Sequence, residues 1–380
     1  MIAVTLFWIS AVLIAYVHIG YPILIRSWAA RRRRPVGWWH RQPTVSIVVV
    51  AHDEAACIAD RVANLLGLDY PKERLEIVIA SDGSTDDTVA RARAAGGGEV
   101  RVVAFAARRG KAAVLNDVVP GCRGEIVVLA DARQRFEREA LRALVRPLAD
   151  ACVGAVGGEL VLARAPSASP ATRGFGLYWR LEKSVRLSES RVDSTVGATG
   201  AIYAIRRDLF APIPADTILD DVLIPMRIAR LGYRVLHEPA ARACDRTADS
   251  ARQEFVRKVR TLAGNFQLFA RERWLLDPFR NRLWFQTVSH KALRLAGPLL
   301  LAAAFVSNLA LAGRPFYLCA LFAQAAFYAA AMCGVLKSAA RRLPFVAIPF
   351  TVCLLNWATV VAFLRFLTGR QSVTWERAAV

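Results

Sequence analysis

The sequence predicts an α/β domain with a mostly parallel sheet, joined to transmembrane α-helices. Three observations carry that reading. Between Pro43 and about Leu162, apolar β-branched runs alternate with helical stretches, the pattern of strands and crossovers in one sheet. Two of the runs lead straight into an aspartate, Ile77-Val78-Ile79-Ala80-Ser81-Asp82 and Ile126-Val127-Val128-Leu129-Ala130-Asp131. Bounded apolar runs of this kind read as interior strands of a parallel sheet, whose carboxyl ends bind ligands. Residues 2–25 hold no Asp, Glu, Lys or Arg, and further uncharged runs lie at 296–312, 315–336 and 343–364. About 20 apolar residues cross a hydrocarbon core, so four spans are expected, with one interfacial or re-entrant as the alternative.

The elements follow in order. Residues 44–51 form the first strand and 54–66 the helix after it. The second strand is 75–80, and Asp82-Gly83-Ser84-Thr85-Asp86-Asp87 supplies capping residues for a helix over 87–95. Gly96-Gly97-Gly98 ends that helix. The third strand, 100–105, runs into Arg108-Arg109-Gly110-Lys111 and another helix; the fourth ends at Asp131, and 155–162 is the fifth. From Pro166 to Gln267 the pattern is more helical and charged. Residues 277–294 mix Phe279, Leu283, Trp284 and Phe285 with Arg280, Arg282, His290 and Lys291, as membrane-surface helices do. The expected organisation is a span at 1–26, a basic juxtamembrane linker at 27–42, and an α/β domain at 43–275. An amphipathic interface region at 276–295, three spans within 296–366 and a tail at 367–380 complete the chain.

The net charge of +20 does not point to nucleic acid. The arginines cluster beside the apolar runs, where anionic headgroups attract them, and no nucleic-acid-binding motif accompanies them. Arg26 and Arg31-Arg32-Arg33-Arg34 follow the first apolar run, whereas a cleaved signal peptide has its positive charge in front. By the positive-inside bias the domain is then cytoplasmic in a multi-pass cell (inner) membrane protein, with Lys337, Arg341 and Arg342 on the same side. Seven scattered cysteines show no paired spacing and read as small apolar residues.

Several groups suit chemistry. No Gly-x-Gly-x-x-Gly follows Ala51-His52-Asp53-Glu54, and no P-loop is present, which argues against dinucleotide and triphosphatase enzymes. An acidic lip remains, suited to a base or ribose. Asp82 either points into the crevice or serves as a turn aspartate. Arg109-Gly110-Lys111 either presents cations to a diphosphate or is a solvated turn. Asp131-Ala132-Arg133 puts Arg133 two residues past a strand-end acid. A second acid there would make a site for a hard divalent ion on a diphosphate; a guanidinium can take over part of that charge, or lie on the outer loop face. Asp220-Asp221 precedes an amphipathic helix, as a carboxylate pair with one general base or as a plain cap. Arg257 and Arg260 share a helical face suited to phosphate, or to solvent.

Taken in order, these elements resemble the membrane-integrated family 2 glycosyltransferases, which include hyaluronan, chitin, cellulose and poly-N-acetylglucosamine synthases. The matching motifs are the acidic lip, Ser81-Asp82-Gly83-Ser84, Arg109-Gly110-Lys111, the Asp131 loop, Gly197-Ala198-Thr199-Gly200-Ala201, Asp220-Asp221 and the basic helix. The resemblance implies a GT-A fold, a Rossmann-like mixed sheet that binds a nucleotide sugar. It also implies inverting transfer from a nucleotide sugar, most often a UDP-sugar, with Mg²⁺ or Mn²⁺. By motif match, Glu54 and Asp82 contact the nucleoside, Ala51 lies beside them, and Lys111 is near the base or diphosphate. Asp131 holds the diphosphate-bound metal, and Arg133, Arg257 and Arg260 complete the donor set. Gly197, Thr199 and Gly200 line the acceptor site. Asp221 is the catalytic base and Asp220 its neighbour.

Two departures mark this chain. Thr261 stands where the family's Gln/Arg-x-x-Arg-Trp motif has its tryptophan, which weakens a processive polymerase reading. Arg133 replaces the second acid of Asp-x-Asp, which puts the degree of metal dependence in question. The expected acceptor is a hydroxyl of a growing polysaccharide or glycolipid, with membrane lipids and export or synthase subunits as further partners. The alternatives are single-sugar transfer to a polyprenyl phosphate, or a non-catalytic nucleotide-sugar-binding subunit.

Overall fold

The computed structural model describes residues 1–32, 34–35, 37, 42–163, 171–246 and 251–372. Arg33 and most of the linker that follows it, the start of the charged region at Pro166, and the tail beyond 372 lie outside the described residues. The chain forms two compact units, one of residues 31–164, 186–247 and 372–380, the other of 1–30, 165–185 and 248–371.

The first unit is built on a mixed sheet. Its strands are β1 (Val45–Ala51), β2 (Leu75–Asp82), β3 (Val100–Phe105), β4 (Ile126–Asp131), β5 (Arg135–Phe136), β6 (Val153–Ala163), β7 (Ile202–Arg206) and β8 (Arg234–Arg246), in the spatial order β3-β2-β1-β4-β7-β6-β8-β5. The first four are parallel, as their continuous apolar runs predict. Register aligns Val50 with Asp131 and Ala51 with Ser81. The two strand-end aspartates therefore flank the end of β1, on one edge of the sheet.

In the other half β6 matches the expected fifth strand, but the region read as helical contains both β7 and β8. β7 runs antiparallel to both β4 and β6, and β8 pairs parallel with β6. β8 reads Arg-Val-Leu-His-Glu-Pro-Ala-Ala-Arg-Ala-Cys-Asp-Arg, too charged for an interior-strand pattern. Its Pro239 falls where the β6–β8 register jumps from His237 to Arg242, an irregularity that tolerates a residue without an N–H.

The first helix also starts later than predicted, at Ile58 rather than residue 54. Asp53 takes a positive φ of 52°, which bends residues 52–57 into a loop over the strand edge. The helix then buries Ile58, Val62 and Leu65 against β1, in a core shared with Leu141 and Leu144 of the helix Ala140–Val145. Truncating such a leucine to alanine costs about 2–5 kcal/mol.

Among the described residues of the second unit, three helices are long and apolar enough to cross a membrane: Ile2–Arg31, Pro315–Leu336 and Pro344–Leu367. A fourth span arises if Trp284–Leu295 and Gly297–Ala310, bent by 61° at their break, count as one. This broken element covers the expected short span and the expected surface segment. The helix Ala251–Arg271, expected within the α/β domain, belongs to this unit instead. Val259 and Ala263 pack on Ala358 and Ala362, and Phe266 lies 5.1 Å from the Phe363 ring. In the same unit the buried Glu182 carboxylate accepts from His290 and from Arg294, at 3.0 and 2.7 Å.

Candidate active site

Three loops at the carboxyl edge of the parallel strands are stitched together by their own polar side chains. The Asp82 carboxylate accepts the backbone N–H of Arg109 at 2.7 Å and of Gly110 at 2.8 Å, and the residue is 3% exposed. Asp82 therefore anchors the Arg-Gly-Lys turn. Gly83, at φ 61°, has no room for a side chain, because an added Cβ would lie 2.4 Å from the Arg108 nitrogen. His52 donates Nδ1–H to the Asp82 carbonyl at 2.7 Å, and Asp53 accepts the Thr85 N–H at 2.8 Å. That bond holds the Asp53 carboxyl below its ordinary range.

Gly110 precedes the helix Lys111–Val118, so Lys111 stands in that helix's first turn. Its Nζ lies 3.0 Å from Asp131 Oδ1 and 3.4 Å from Asp220 Oδ2. Burial works against the charged ammonium, but Asp131, Asp220 and Asp221 outweigh it and raise the amine above its ordinary range. Asp131 and Asp220, delivered by two different loops, are thus tied through one cation.

Asp220 and Asp221 open the helix Asp220–Arg230, where a helix N-terminus favours negative charge. The two side chains diverge. Asp220 Oδ2 accepts the Tyr203 hydroxyl at 2.9 Å. Asp221 Oδ2 accepts the Gly200 N–H at 3.0 Å, and its carbonyl accepts the Ala198 N–H at 2.7 Å. Asp221 therefore faces the Gly197–Ala201 loop, and Gly197 at φ 88° lets that loop close on Val222. Thr199 Oγ1 accepts from Arg186 at 2.9 Å.

The other predicted residues divide. Ala51 turns its methyl into the core, so only its backbone faces the edge. Glu54 and Arg133 meet each other, Nε to Oε1 at 2.8 Å. Arg257 and Arg260 sit on the helix Ala251–Arg271 of the second unit. Sequence reasoning passed over Tyr203, Arg186, His52 and Arg61. Arg61 is buried on the face of Phe136, 4.2 Å from its ring centroid, where burial pushes its guanidinium below the ordinary range and the Asp131 charge works against that. The only signal for Arg61 was a charge on the apolar face of a helix.

Among the described residues no three His, Cys, Asp or Glu side chains group to hold a metal ion. The donor set still fits a divalent ion of the magnesium type, which is commonly held by one or two carboxylates together with substrate phosphates. Asp131 is the residue that would hold it.

Residues 46–212 match the family described as Glycosyl transferase family 2. The chain carries a family 2 glycosyltransferase domain. That domain contains the acidic lip, the Asp82 turn, the Asp131 loop and the Gly197–Ala201 loop, and its fold is GT-A. The chain is 25% identical to the probable glycosyltransferase YdaM of Bacillus subtilis over 282 residues, 69% of this chain and 66% of the relative. It is 35% identical to the beta-monoglucosyldiacylglycerol synthase of Nostoc over 127 residues, 32% of this chain and 27% of that protein. The chain thus spans less than two thirds of the length of each of these curated relatives. Among solved structures it resembles the Pyrobaculum calidifontis mannosyltransferase in complex with GDP-Man and Mn²⁺. That likeness has a TM-score of 0.72 at 25% identity, over 96% of this chain and 99% of that one.

Proposed function

We propose that this glycosyltransferase works at a membrane. It moves one sugar from a nucleoside diphosphate donor to a hydroxyl of a glycolipid or membrane-linked saccharide, with inversion at the anomeric carbon. The observation that carries this reading is the Lys111 bridge between Asp131 and the Asp220-Asp221 pair. The cation belongs with the donor's diphosphate and Asp131, and Asp221 belongs with the acceptor loop. In this reading Asp221 removes the proton of the attacking hydroxyl, and Lys111 offsets charge growing on the leaving diphosphate. A divalent ion, bound at Asp131 with the phosphates, would add Lewis-acid stabilisation. Glu54 and Asp82 line the nucleoside side, Asp82 by fixing the turn beneath it.

The nucleotide was expected to be UDP. The full-length likeness to a structure with GDP-Man supports a second donor reading, so both nucleotides belong in the test. Apolar helices and the likeness to a diacylglycerol glycolipid synthase support a lipid acceptor, and Thr261 in place of tryptophan supports single transfer over polymerisation. The test is purified protein in lipid nanodiscs with UDP- and GDP-sugars, the products being read by mass spectrometry. A lipid carrying one sugar on a hydroxyl supports the reading. A long polymer, or sugar on a polyprenyl phosphate alone, overturns the acceptor assignment.

A further inference from the structure

Tyr203 lies in the middle of the mixed sheet, paired with Leu129 of β4 and Gly157 of β6, and is fully buried. Strand alternation turns it away from Ile202 and Ala204, which enter the large core. A buried phenol needs an acceptor. Tyr203 uses a carboxylate oxygen, Asp220 Oδ2, that also faces the Lys111 ammonium. Burial first, then the charges of Asp220 and Asp221, push the phenol well above its ordinary range, so it stays protonated and donates.

We propose that Tyr203 is a positioning residue for the transfer reaction: its hydroxyl fixes Asp220, and Asp220 holds the Lys111 ammonium against Asp131 in the donor half-site. The inference rests on the glycosyltransferase reading of that site. Lys111 stands in the first turn of its helix, where the helix dipole repels a cation. Its long side chain has many rotamers to lose, so one carboxylate at one end confines it poorly. Two carboxylates confine it, provided the second cannot rotate. The phenol supplies that restraint through a charge-assisted hydrogen bond. An ammonium has three hydrogens; one bonds Asp131 Oδ1 while Asp220 Oδ2 acts as an ion-pair partner at 3.4 Å, which leaves donor capacity for a phosphate oxygen. In this scheme Asp220 serves the donor through Lys111, and Asp221 serves the acceptor.

A double-mutant cycle tests this on the full-length protein in detergent, reading donor KM and kcat separately and nucleoside diphosphate binding by calorimetry. Tyr203→Phe removes one oxygen and should raise donor KM, and weaken diphosphate binding, by about tenfold, with a smaller change in kcat. In an Asp220→Asn background the same change should add less than about twofold, because the intermediary is already disabled. Equal effects in both backgrounds, or an unchanged donor KM in Tyr203→Phe, would overturn the inference and leave Tyr203 a packing residue. Wild-type protein that neither binds nor turns over any nucleotide sugar would instead overturn the underlying transferase reading, and this inference with it. If Tyr203→Phe does not fold, Lys111→Arg with and without Asp220→Asn replaces it: the Arg variant should retain diphosphate binding only while Asp220 is intact, and binding indifferent to Asp220 rejects the relay.

Discussion

The Arg133 guanidinium donates Nε–H to Glu54 Oε1 at 2.8 Å. The residue that replaces the second acid of the expected metal motif is therefore bound to the acid expected to contact the nucleoside. Parallel pairing of β1 with β4 brings the two loops together. Arg133 is 47% exposed on its side chain, so the pair contributes at most about 1 kcal/mol after solvent screening, and its loss should barely move the melting temperature. The donor site should notice more. Arg133→Asp exchanges a cation for an acid, and the ratio of rates with Mn²⁺ and with chelator should rise several-fold. An unchanged ratio would mean that Arg133 carries none of the metal's charge.

The acids at 220 and 221 should respond differently. If Asp221 is the base proposed above, Asp221→Asn should lower kcat by about 10³-fold with little change in donor KM. Asp220→Asn should act chiefly on donor KM. Steady-state kinetics of the two variants separates the roles, and the reverse pattern would exchange them.

Gly200→Ala probes the Asp221 carboxylate, the proposed base, from the other side. A Cβ added at Gly200 would lie 3.0 Å from Asp221 Oδ2, crowding the carboxylate without touching the fold's core. A displacement near 1 Å costs about 100-fold in rate, so kcat should fall by about 10- to 100-fold with unchanged thermal stability. Full activity in this variant would show that the Gly200–Asp221 contact does not hold the base in place.

Lys111 sets an expectation for pH. Its folded value lies above the ordinary one of about 10.4, because its three acids outweigh its burial. A cation raised on folding lends stability that is complete below the unfolded value and is lost as pH climbs through the folded one. Melting temperatures of wild type and Lys111→Met should therefore differ by a constant amount from pH 7 to about pH 10. A difference that collapses between pH 7 and 9 would show the amine is not held charged.

The parallel half of the sheet was legible because β1, β2 and β4 are continuous β-branched runs, and their ends delivered Asp82 and Asp131 to one edge. Asp220-Asp221 was legible from its place before an amphipathic helix. In the antiparallel half only β6, the expected fifth strand, was. β8 carries three arginines, a histidine and a proline, which it tolerates through its register irregularity. With β7 hidden in a region read as helical, Tyr203 had no strand to sit on and its bond to Asp220 could not be foreseen. Asp82 shows a different gap. Its position was right, but that both carboxylate oxygens grip the backbone of Arg109 and Gly110 depends on a turn 27 residues away. The Glu54–Arg133 pair was hidden for the same reason.

The central claim is that this site cleaves a nucleotide sugar with Asp221 as base. The most direct measurement is nucleoside diphosphate release by purified protein with UDP- and GDP-sugars and a membrane-lipid acceptor, comparing wild type with Asp221→Asn. Release by the wild type from at least one donor, falling about 10³-fold in the variant, is the predicted result. Equal release by both proteins would contradict the assignment of the base, and no release from any donor would contradict the account as a whole.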